Sequence, residues 1–183
     1  MKSIINGLPK DKPIWIRTTI LPGTSKKLSD ETGRIVRHMP EFLTERTYIE
    51  DFKWQPMVFT DDPELLAKIF PGKEHIDMTS AEAEMVKYAH NVFGALKVLY
   101  FTCIYDVCQN LGLEYENIRK GVLASTYINE THTLVPGPDG KFSYGGKCFP
   151  KDVNAFEKLF RYTPLGRLLD PMKKLNDELR NKY

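Results

Sequence analysis

Residues 79–112 read TSAEAEMVKYAHNVFGALKVLYFTCIYDVCQNLG, and this stretch decides the fold. It opens with a capping box, because Glu82 follows Thr79 by three residues, and Gly112 is a typical residue to close a helix. The pattern predicts one α-helix over Ser80–Leu111, about 45 Å long at 1.5 Å per residue. This helix is apolar on most sides and must therefore be buried on most sides. A chain of 183 residues can hardly surround it, so we expect a second copy to help.

The residues before this helix alternate between short strands and short helices. β-Branched and aromatic side chains indicate the strands, and Gly and Pro mark their ends. We predict strands over 13–21, 34–37 and 56–60, a helix from Thr24 through Leu28, and a helix over 64–70 with Thr60 or Asp61 as its N-cap. Such alternation indicates part of an α/β sheet.

The residues after the long helix stay helical in pattern. We predict helices over 115–123, over 151–160 and after Pro171, with an irregular loop from Ser125 to Cys148 between the first two. The sequence therefore predicts an α/β part over 1–78 and a helical part over 79–183.

The composition argues against several classes of protein. The formal net charge is +2 and the basic residues are dispersed, which gives no reason to expect a nucleic-acid partner. No apolar run approaches the roughly 20 residues of a membrane span, and no signal peptide opens the chain. The three cysteines lack paired spacing, which fits a reducing, cytoplasmic compartment. No His/Cys cluster has zinc spacing, so we expect no metal site.

A second informative stretch, SYGGKCFPKDVNAF, covers residues 143–156. Cys148 comes three residues before the predicted helix start and Asp152 falls in its first turn. The positive end of a helix favours a thiolate, which would make Cys148 a nucleophile. Gly145 and Gly146 would let the backbone approach a ligand closely. The alternative is a turn, a buried structural thiol and an ordinary capping residue, and the pattern alone leaves both open.

Lys87 and Asn91 lie four residues apart on the long helix and so share one face. Their neighbours are mostly apolar, and burying an ammonium group without a partner is costly. Lys87 is therefore either a functional lysine or one whose charged end reaches water along the apolar surface.

Two further pairs of polar residues are candidates. Glu41 and Glu45 are either carboxylates that orient water or take a proton, or part of a solvated turn. Thr18 and Thr19 end a predicted strand, where α/β sheets present side chains to ligands, although β propensity alone would also explain them. We interpret six other residues as structural: His38, His75, His90, His132, Cys103 and Cys108.

Four motifs occur in a fixed order: TTILPGT at 18–24, PEFLTE at 40–45, EAEMVKYAHN at 82–91 and YGGKCFPKD at 144–152. With them the chain resembles the UDP-glucose/GDP-mannose 6-dehydrogenases almost from end to end. The resemblance implies the end of a Rossmann-type parallel sheet followed by an all-α dimerisation domain on one long central helix. It also implies NAD as cofactor, a nucleotide sugar such as UDP-glucose as substrate, and a homodimer.

The resemblance also implies a mechanism, since the family oxidises the C6 alcohol of a sugar to a carboxylate with two NAD⁺ and releases no aldehyde. Cys148 would trap the aldehyde as a thiohemiacetal and then carry a thioester. Lys87 would stabilise the oxyanion at C6. Asn91 and Asp152 would help to position that oxygen and a water, and three residues would assist hydrolysis of the thioester: Glu45, Thr19 and Glu41.

The family's binding residues carry over in the same way. Those implied for the nucleotide sugar are Phe42, Leu43, Lys87, Asn91, Tyr144, Gly145 and Gly146. Those implied for NAD are Thr18, Glu45, Cys148 and Lys151.

The chain departs from the family pattern at several points. No G-x-G-x-x-G follows a strand, Tyr127 stands where an arginine is usual, and Ser143 stands where a glycine is usual. We therefore expect the NAD-binding half and the C-terminal domain to be absent, a separate chain to supply the cofactor site, and catalysis by this chain alone to be weak. The alternative is a non-catalytic dimerisation or regulatory module of the same family.

Overall fold

The computed structural model describes residues 1–43, 47–54 and 57–182. Within these ranges the chain forms eight α-helices and four short β-strands. It divides into two compact units, Met1–Ala89 and His90–Tyr183. The boundary lies inside the long helix, whereas the sequence places the domain boundary just ahead of it. The assignment of domains therefore stays a prediction.

The first unit alternates short helices with strands that pair in parallel. β1 pairs with β2, and β3 pairs with β4, so the described residues contain two two-stranded parallel sheets. The predicted parallel α/β arrangement is thus confirmed. The elements are α1 (Lys2–Gly7), β1 (Ile14–Ile16), α2 (Thr24–Thr32), β2 (Val36–His38), α3 (Tyr48–Trp54), β3 (Met57–Thr60), α4 (Pro63–Ile69), β4 (Glu74–Asp77) and the start of α5 (Ser80–Leu111).

A small apolar core holds β1 and β2 against two helices. Ile14 and Val36, which lie opposite each other in the sheet, pack with Ile5 of α1 and Leu28 of α2. The Arg34 guanidinium also holds this region, because it donates at 2.7–3.1 Å to four backbone carbonyls, one within α1 and three between α1 and β1. This core fixes the segments that follow the two strands.

The predicted strand over 13–21 is wrong in length, because β1 covers only three residues. Its partner β2 ends at His38, and Pro40 follows shortly afterwards with no N–H to donate to a ladder. Thr18 and Thr19 therefore lie past the strand and not within it.

Several smaller expectations also need correction. The second strand begins at Val36 and not at Arg34, and α1, α3 and β4 were not predicted. The N-cap of α4 is Asp62 and not Thr60 or Asp61, because the Asp62 carboxylate accepts from the Leu65 N–H at 3.3 Å.

The long helix α5 begins and ends at the predicted residues. The Glu82 carboxylate accepts from the Thr79 N–H at 2.7 Å and from the Thr79 hydroxyl at 2.6 Å, which confirms the capping box. Gly112 follows the helix at a φ of 67°, a conformation that favours glycine.

One face of α5 in the second unit stays uncovered by this chain. Phe93 is 66% exposed and Tyr100, one heptad later, is 59% exposed. Val107 and Leu111 continue the same stripe. The expectation that the chain cannot bury this helix on all sides is confirmed for this face.

By its length and composition α5 could also cross a membrane. The expectation that no segment of this chain is apolar enough to do so is therefore wrong. Core helices share this property, and 44% of its most apolar stretch is buried inside the structure. The absence of a membrane partner stays a prediction.

The second unit consists of the rest of α5 and three further helices, α6 (Tyr115–Leu123), α7 (Cys148–Phe160) and α8 (Pro164–Lys182). The bounds of α6 are as predicted. α7 begins three residues earlier than predicted, at Cys148. α8 runs through Pro171, because apolar residues buried before and after it, Leu169 and Met172, hold the helix in place. The expectation that Pro171 precedes the helix is wrong.

A buried carboxylate ties α5 to α2 within the first unit. Glu84 is fully buried and accepts hydrogen bonds from the N–H groups of Gly23 and Ser25, the latter at 2.8 Å. These amides belong to the start of α2, where the helix dipole is positive. Two charge-assisted bonds therefore compensate the desolvation of Glu84.

Replacing Glu84 by Gln should destabilise the protein. The amide removes the negative charge and turns an N–H toward the two backbone donors, so the free energy of unfolding should fall by about 2 kcal/mol. Urea denaturation followed by circular dichroism measures this change. Glu82→Gln is the matched control, because its carboxylate is exposed and caps only the helix start. Equal midpoints for Glu84→Gln and the native chain would contradict the role of Glu84.

Candidate functional site

Lys87 is buried within the first unit, with only 6% of its surface exposed. Its ammonium group donates to the Glu41 carbonyl, lies 3.5 Å from the Glu41 carboxylate, and stands 5.1 Å from the centroid of the Phe42 ring. These contacts compensate the buried charge. The alternative of a lysine whose charged end reaches water does not fit this burial.

The segment around Glu41 is shaped by its own carboxylate. Glu41 Oε2 accepts from the Leu43 N–H at 2.8 Å, which turns the chain back on itself. The structure therefore brings Glu41 and Phe42 together at Lys87, and Leu43 is bonded to Glu41 beside them. Glu45, also predicted for this site, lies outside the described residues.

Thr18 and Thr19 follow β1 and lie beside the end of β2. The Thr18 carbonyl is 3.2 Å from Nε2 of His38, a residue that we interpreted as structural. Burial lowers the pKa of His38, and the Lys87 charge adds slightly to this shift. The hydrogen bond with the Thr18 carbonyl and the Glu84 charge oppose it by smaller amounts, so the imidazole stays neutral at pH 7. Its Nε2–H donates to Thr18 and fixes the backbone there.

Asn91 and Asp152 form a buried pair within the second unit. Asn91 Nδ2 donates to Asp152 Oδ2 at 2.6 Å, and Asp152 is 1% exposed. The Lys151 ammonium contacts the other carboxylate oxygen, and His90 Nδ1 lies 2.9 Å from Asn91 Oδ1. The two residues predicted to position oxygen and water are thus in direct contact.

Cys148 is the first residue of α7, and its thiol is exposed. The prediction that it precedes the helix by three residues is wrong, and so is the placement of Asp152 in the first turn. Asp152 lies one full turn after Cys148, on the same face. The alternative of a buried structural thiol is also wrong for Cys148, whereas Cys108 is buried.

A glycine on α5 sets how closely the start of α7 approaches that helix. A Cβ at Gly94 would lie 2.7 Å from Cζ of Phe149, the residue after Cys148. The Phe149 ring also contacts His132 at a centroid distance of 5.2 Å. Gly94 therefore provides the space that the Phe149 ring, next to Cys148, occupies.

The glycine loop before Cys148 is held by the far end of α8. Arg180 donates to the carbonyls of Phe142 and Ser143 at 3.3 and 3.1 Å, and its guanidinium fills the space where a Cβ at Gly145 would lie. Ser143 has a φ of 59°, in the left-handed region, which explains why a glycine suits this position.

Tyr144 and Tyr127 have opposite environments. Tyr144 is buried, and burial together with the charge of Asp177 raises its pKa to about 12, so the phenol stays protonated. Tyr127, in the place of the family's arginine, is 86% exposed. Within the described residues, no group of three or more His, Cys, Asp or Glu side chains could hold a metal ion.

A model of the central domain of the UDP-glucose/GDP-mannose dehydrogenase family matches residues 81–178, more than half of the chain. The chain belongs to this family. The match covers α5 to α8, and with them Lys87, Asn91, Cys148 and Asp152. The resemblance inferred from the four sequence motifs is therefore confirmed.

Curated relatives agree with this assignment. The chain is 30% identical over 165 residues to a UDP-glucose 6-dehydrogenase of Rickettsia felis, covering 82% of this chain and 36% of the relative. It is 30% identical over 163 residues to a GDP-mannose 6-dehydrogenase of Pseudomonas aeruginosa, covering 78% and 36%. The chain thus spans less than half the length of the curated relatives that it matches.

Solved structures show the same relationship. A UDP-glucose dehydrogenase from Pyrobaculum islandicum aligns with a TM-score of 0.75 at 25% identity, covering 90% of this chain and 40% of that one. A ternary complex of GDP-mannose dehydrogenase from Pseudomonas aeruginosa aligns with a TM-score of 0.61 at 26% identity, covering 97% and 46%.

Gly94→Ala should destabilise the protein although alanine is the better helix former. The intrinsic gain of about 1 kcal/mol is outweighed by displacement of the Phe149 ring. Gly121→Ala on α6 is the matched control, because no atom lies within 4 Å of the point where its Cβ would stand, and it should raise the melting temperature. Thermal unfolding of both variants measures the difference. A Gly94→Ala variant as stable as Gly121→Ala would contradict the contact.

Proposed function

We propose that this chain is the catalytic portion of an NAD-dependent nucleotide-sugar 6-dehydrogenase that oxidises C6 of UDP-glucose from alcohol to carboxylate. Membership of the family supports the class of reaction. The observation that carries the proposal is the exposed Cys148 thiol at the first residue of α7, one turn before the buried Asp152.

Cys148 is suited to act as the nucleophile. Cys148 is exposed and is the first residue of the 13-residue helix α7, so a reactant can reach its sulfur. Loss of a proton and a first hydride from the C6 alcohol gives the aldehyde, and the Cys148 thiolate adds to this aldehyde to give a thiohemiacetal. Loss of hydride from this adduct gives a thioester, and water cleaves the thioester to the carboxylate and free thiolate.

Lys87 is suited to stabilise negative charge. Its ammonium group is held in place by a carbonyl, a carboxylate and an aromatic face. A preorganised cation of this kind lowers the energy of an oxyanion at C6. Glu41, whose carboxylate is partly exposed, is the described candidate for activating water.

The Asn91–Asp152 pair is suited to orient the reacting oxygen and a water. An amide and a carboxylate in direct contact offer both a donor and an acceptor from a buried, rigid position. Glu45 and Thr19 complete the proposed hydrolytic group, and the loop of Tyr144, Gly145 and Gly146 is the proposed support for the nucleotide sugar.

NAD would accept the two hydrides. The residues of this chain fit only part of a cofactor site: Thr18 is exposed past β1, and the Lys151 side chain is 55% exposed near Cys148. A glycine-rich dinucleotide fingerprint does not occur in the sequence. We propose that the remaining cofactor contacts come from sequence outside these 183 residues, in the same polypeptide or in a separate chain.

The alternative of a non-catalytic module rests on the exposed Tyr127 and on the missing fingerprint. The family match does not favour it. The cytoplasm is the compartment that we propose, since a nucleophilic Cys148 must stay reduced.

Mixing the chain with a matching NAD-binding half, UDP-glucose and NAD⁺ should produce NADH, measured at 340 nm. Cys148→Ser should abolish the signal. Cys103→Ser should not, because that thiol is half-buried and burial, with the nearby Asp106, raises its pKa. Iodoacetamide should label Cys148 first, and UDP-glucose should protect it. No NADH from two folded halves at any ratio, with slow and ligand-insensitive labelling, would favour the non-catalytic module.

We also propose a homodimer through the stripe of Phe93, Tyr100, Val107 and Leu111 on α5. Exposed aromatic side chains at heptad spacing are typical of a helix that packs on a partner. Light scattering after size exclusion should give twice the chain mass of 21.1 kDa, and Phe93→Lys with Tyr100→Lys should shift the protein to monomer. A monomeric native chain at micromolar concentration would refute the dimer.

A further inference from the structure

The exposed His90 imidazole lies directly beside the buried Asn91–Asp152 pair. We infer that His90 is a positioning residue, which fixes the orientation of the Asn91 amide through its Nδ1–H. The inference rests on the proposed function only for the role of Asn91. It adds His90 to the proposed site, although the four sequence motifs assign this residue no role.

The direction of each hydrogen bond follows from the groups involved. An ionised carboxylate only accepts, so the group of Asn91 that faces Asp152 Oδ2 at 2.6 Å must be its NH₂. Asn91 Oδ1 then points away from Asp152 and toward His90 Nδ1, at 2.9 Å. An amide oxygen only accepts, so His90 must carry its proton on Nδ1.

The chain of bonds therefore runs in one direction. His90 Nδ1–H donates to Asn91, Asn91 donates to Asp152, and the Lys151 ammonium donates to the other oxygen of Asp152. Among the described residues, His90 is the one donor to the Asn91 carbonyl oxygen. Bonds in such a series polarise one another, so the imidazole also strengthens the amide–carboxylate bond.

Removing the His90 Nδ1–H should make the orientation of the Asn91 side chain less fixed, while Asn91 and Asp152 both remain in the site. Asn91 is 4% exposed, so its carbonyl would be buried without a partner, and a flipped amide would set oxygen against oxygen at Asp152. The amide would then no longer keep a single orientation. Any substrate oxygen or water that it positions would no longer be held in one place.

Two variants distinguish the effect of the His90 ring from the effect of its Nδ1–H donor. His90→Phe keeps the planar ring and removes the donor. His90→Asn removes the ring but places an amide nitrogen where Nδ1 stood. With both halves of the enzyme present, His90→Phe should lower kcat about fivefold to tenfold, the effect of one buried hydrogen bond, with KM for the sugar unchanged. His90→Asn should restore most of the activity.

Nuclear magnetic resonance tests the inference without any activity. In the native chain, ¹⁵N signals of His90 should show the hydrogen on Nδ1. In His90→Phe the Asn91 side-chain NH₂ should shift and exchange faster with water, whereas the exposed Asn110 NH₂ on the same helix should not change. A hydrogen on Nε2 alone, an unaltered Asn91 signal, or equal losses in both variants would overturn the inference. If the native chain and the NAD-binding half together form no NADH but these signals respond, the proposed function fails and the positioning role stands.

Discussion

The structure depends on one constraint. The helix α5 buries several polar side chains, and each of them needs a hydrogen-bond or charge partner. Within eight residues α5 carries the fully buried Glu84, the buried Lys87 and the buried Asn91. Each finds its partner in a segment far away in sequence: backbone amides at the start of α2, the turn at Glu41, and Asp152 on α7. A buried charge or amide without a partner costs several kcal/mol. These three residues therefore dictate where three other segments must lie, and the proposed chemistry uses groups that the fold already holds rigid.

How much of this was predictable depends on whether the signal is local. The bounds of α5 and α6 followed from caps and glycines, since a capping box and a left-handed Gly112 act within a few residues. The lengths of β1 and α7 did not follow. β1 is limited by its partner β2 and by Pro40, and α7 accepts Pro150 in its first turn because that position needs no N–H. Pro171 led to a predicted helix start that is too late. Burial of Leu169 and Met172 outweighs the cost of a proline within α8.

The candidate site shows the same division. The sequence proposed Cys148, Lys87, Asn91 and Asp152 as site residues, because a resemblance in ordered motifs carries residue identities, and their roles stay a prediction. It assigned His38 and His90 a structural role, and it gave Glu84 and Arg180 no role. His38, Glu84 and Arg180 each act through a contact with a residue far away in sequence, and His90 acts by orienting the amide of its neighbour Asn91. No periodicity in the sequence reports that Arg180 reaches the carbonyls of Phe142 and Ser143. Such residues become visible only when donors and acceptors are matched in space.

The position of Arg180 has a practical consequence. It lies in the last turn of α8, where helices fray first, yet it holds the loop that leads into Cys148. A substitution that unwinds the last turn of α8 therefore also releases this loop, even though the two are almost forty residues apart in sequence.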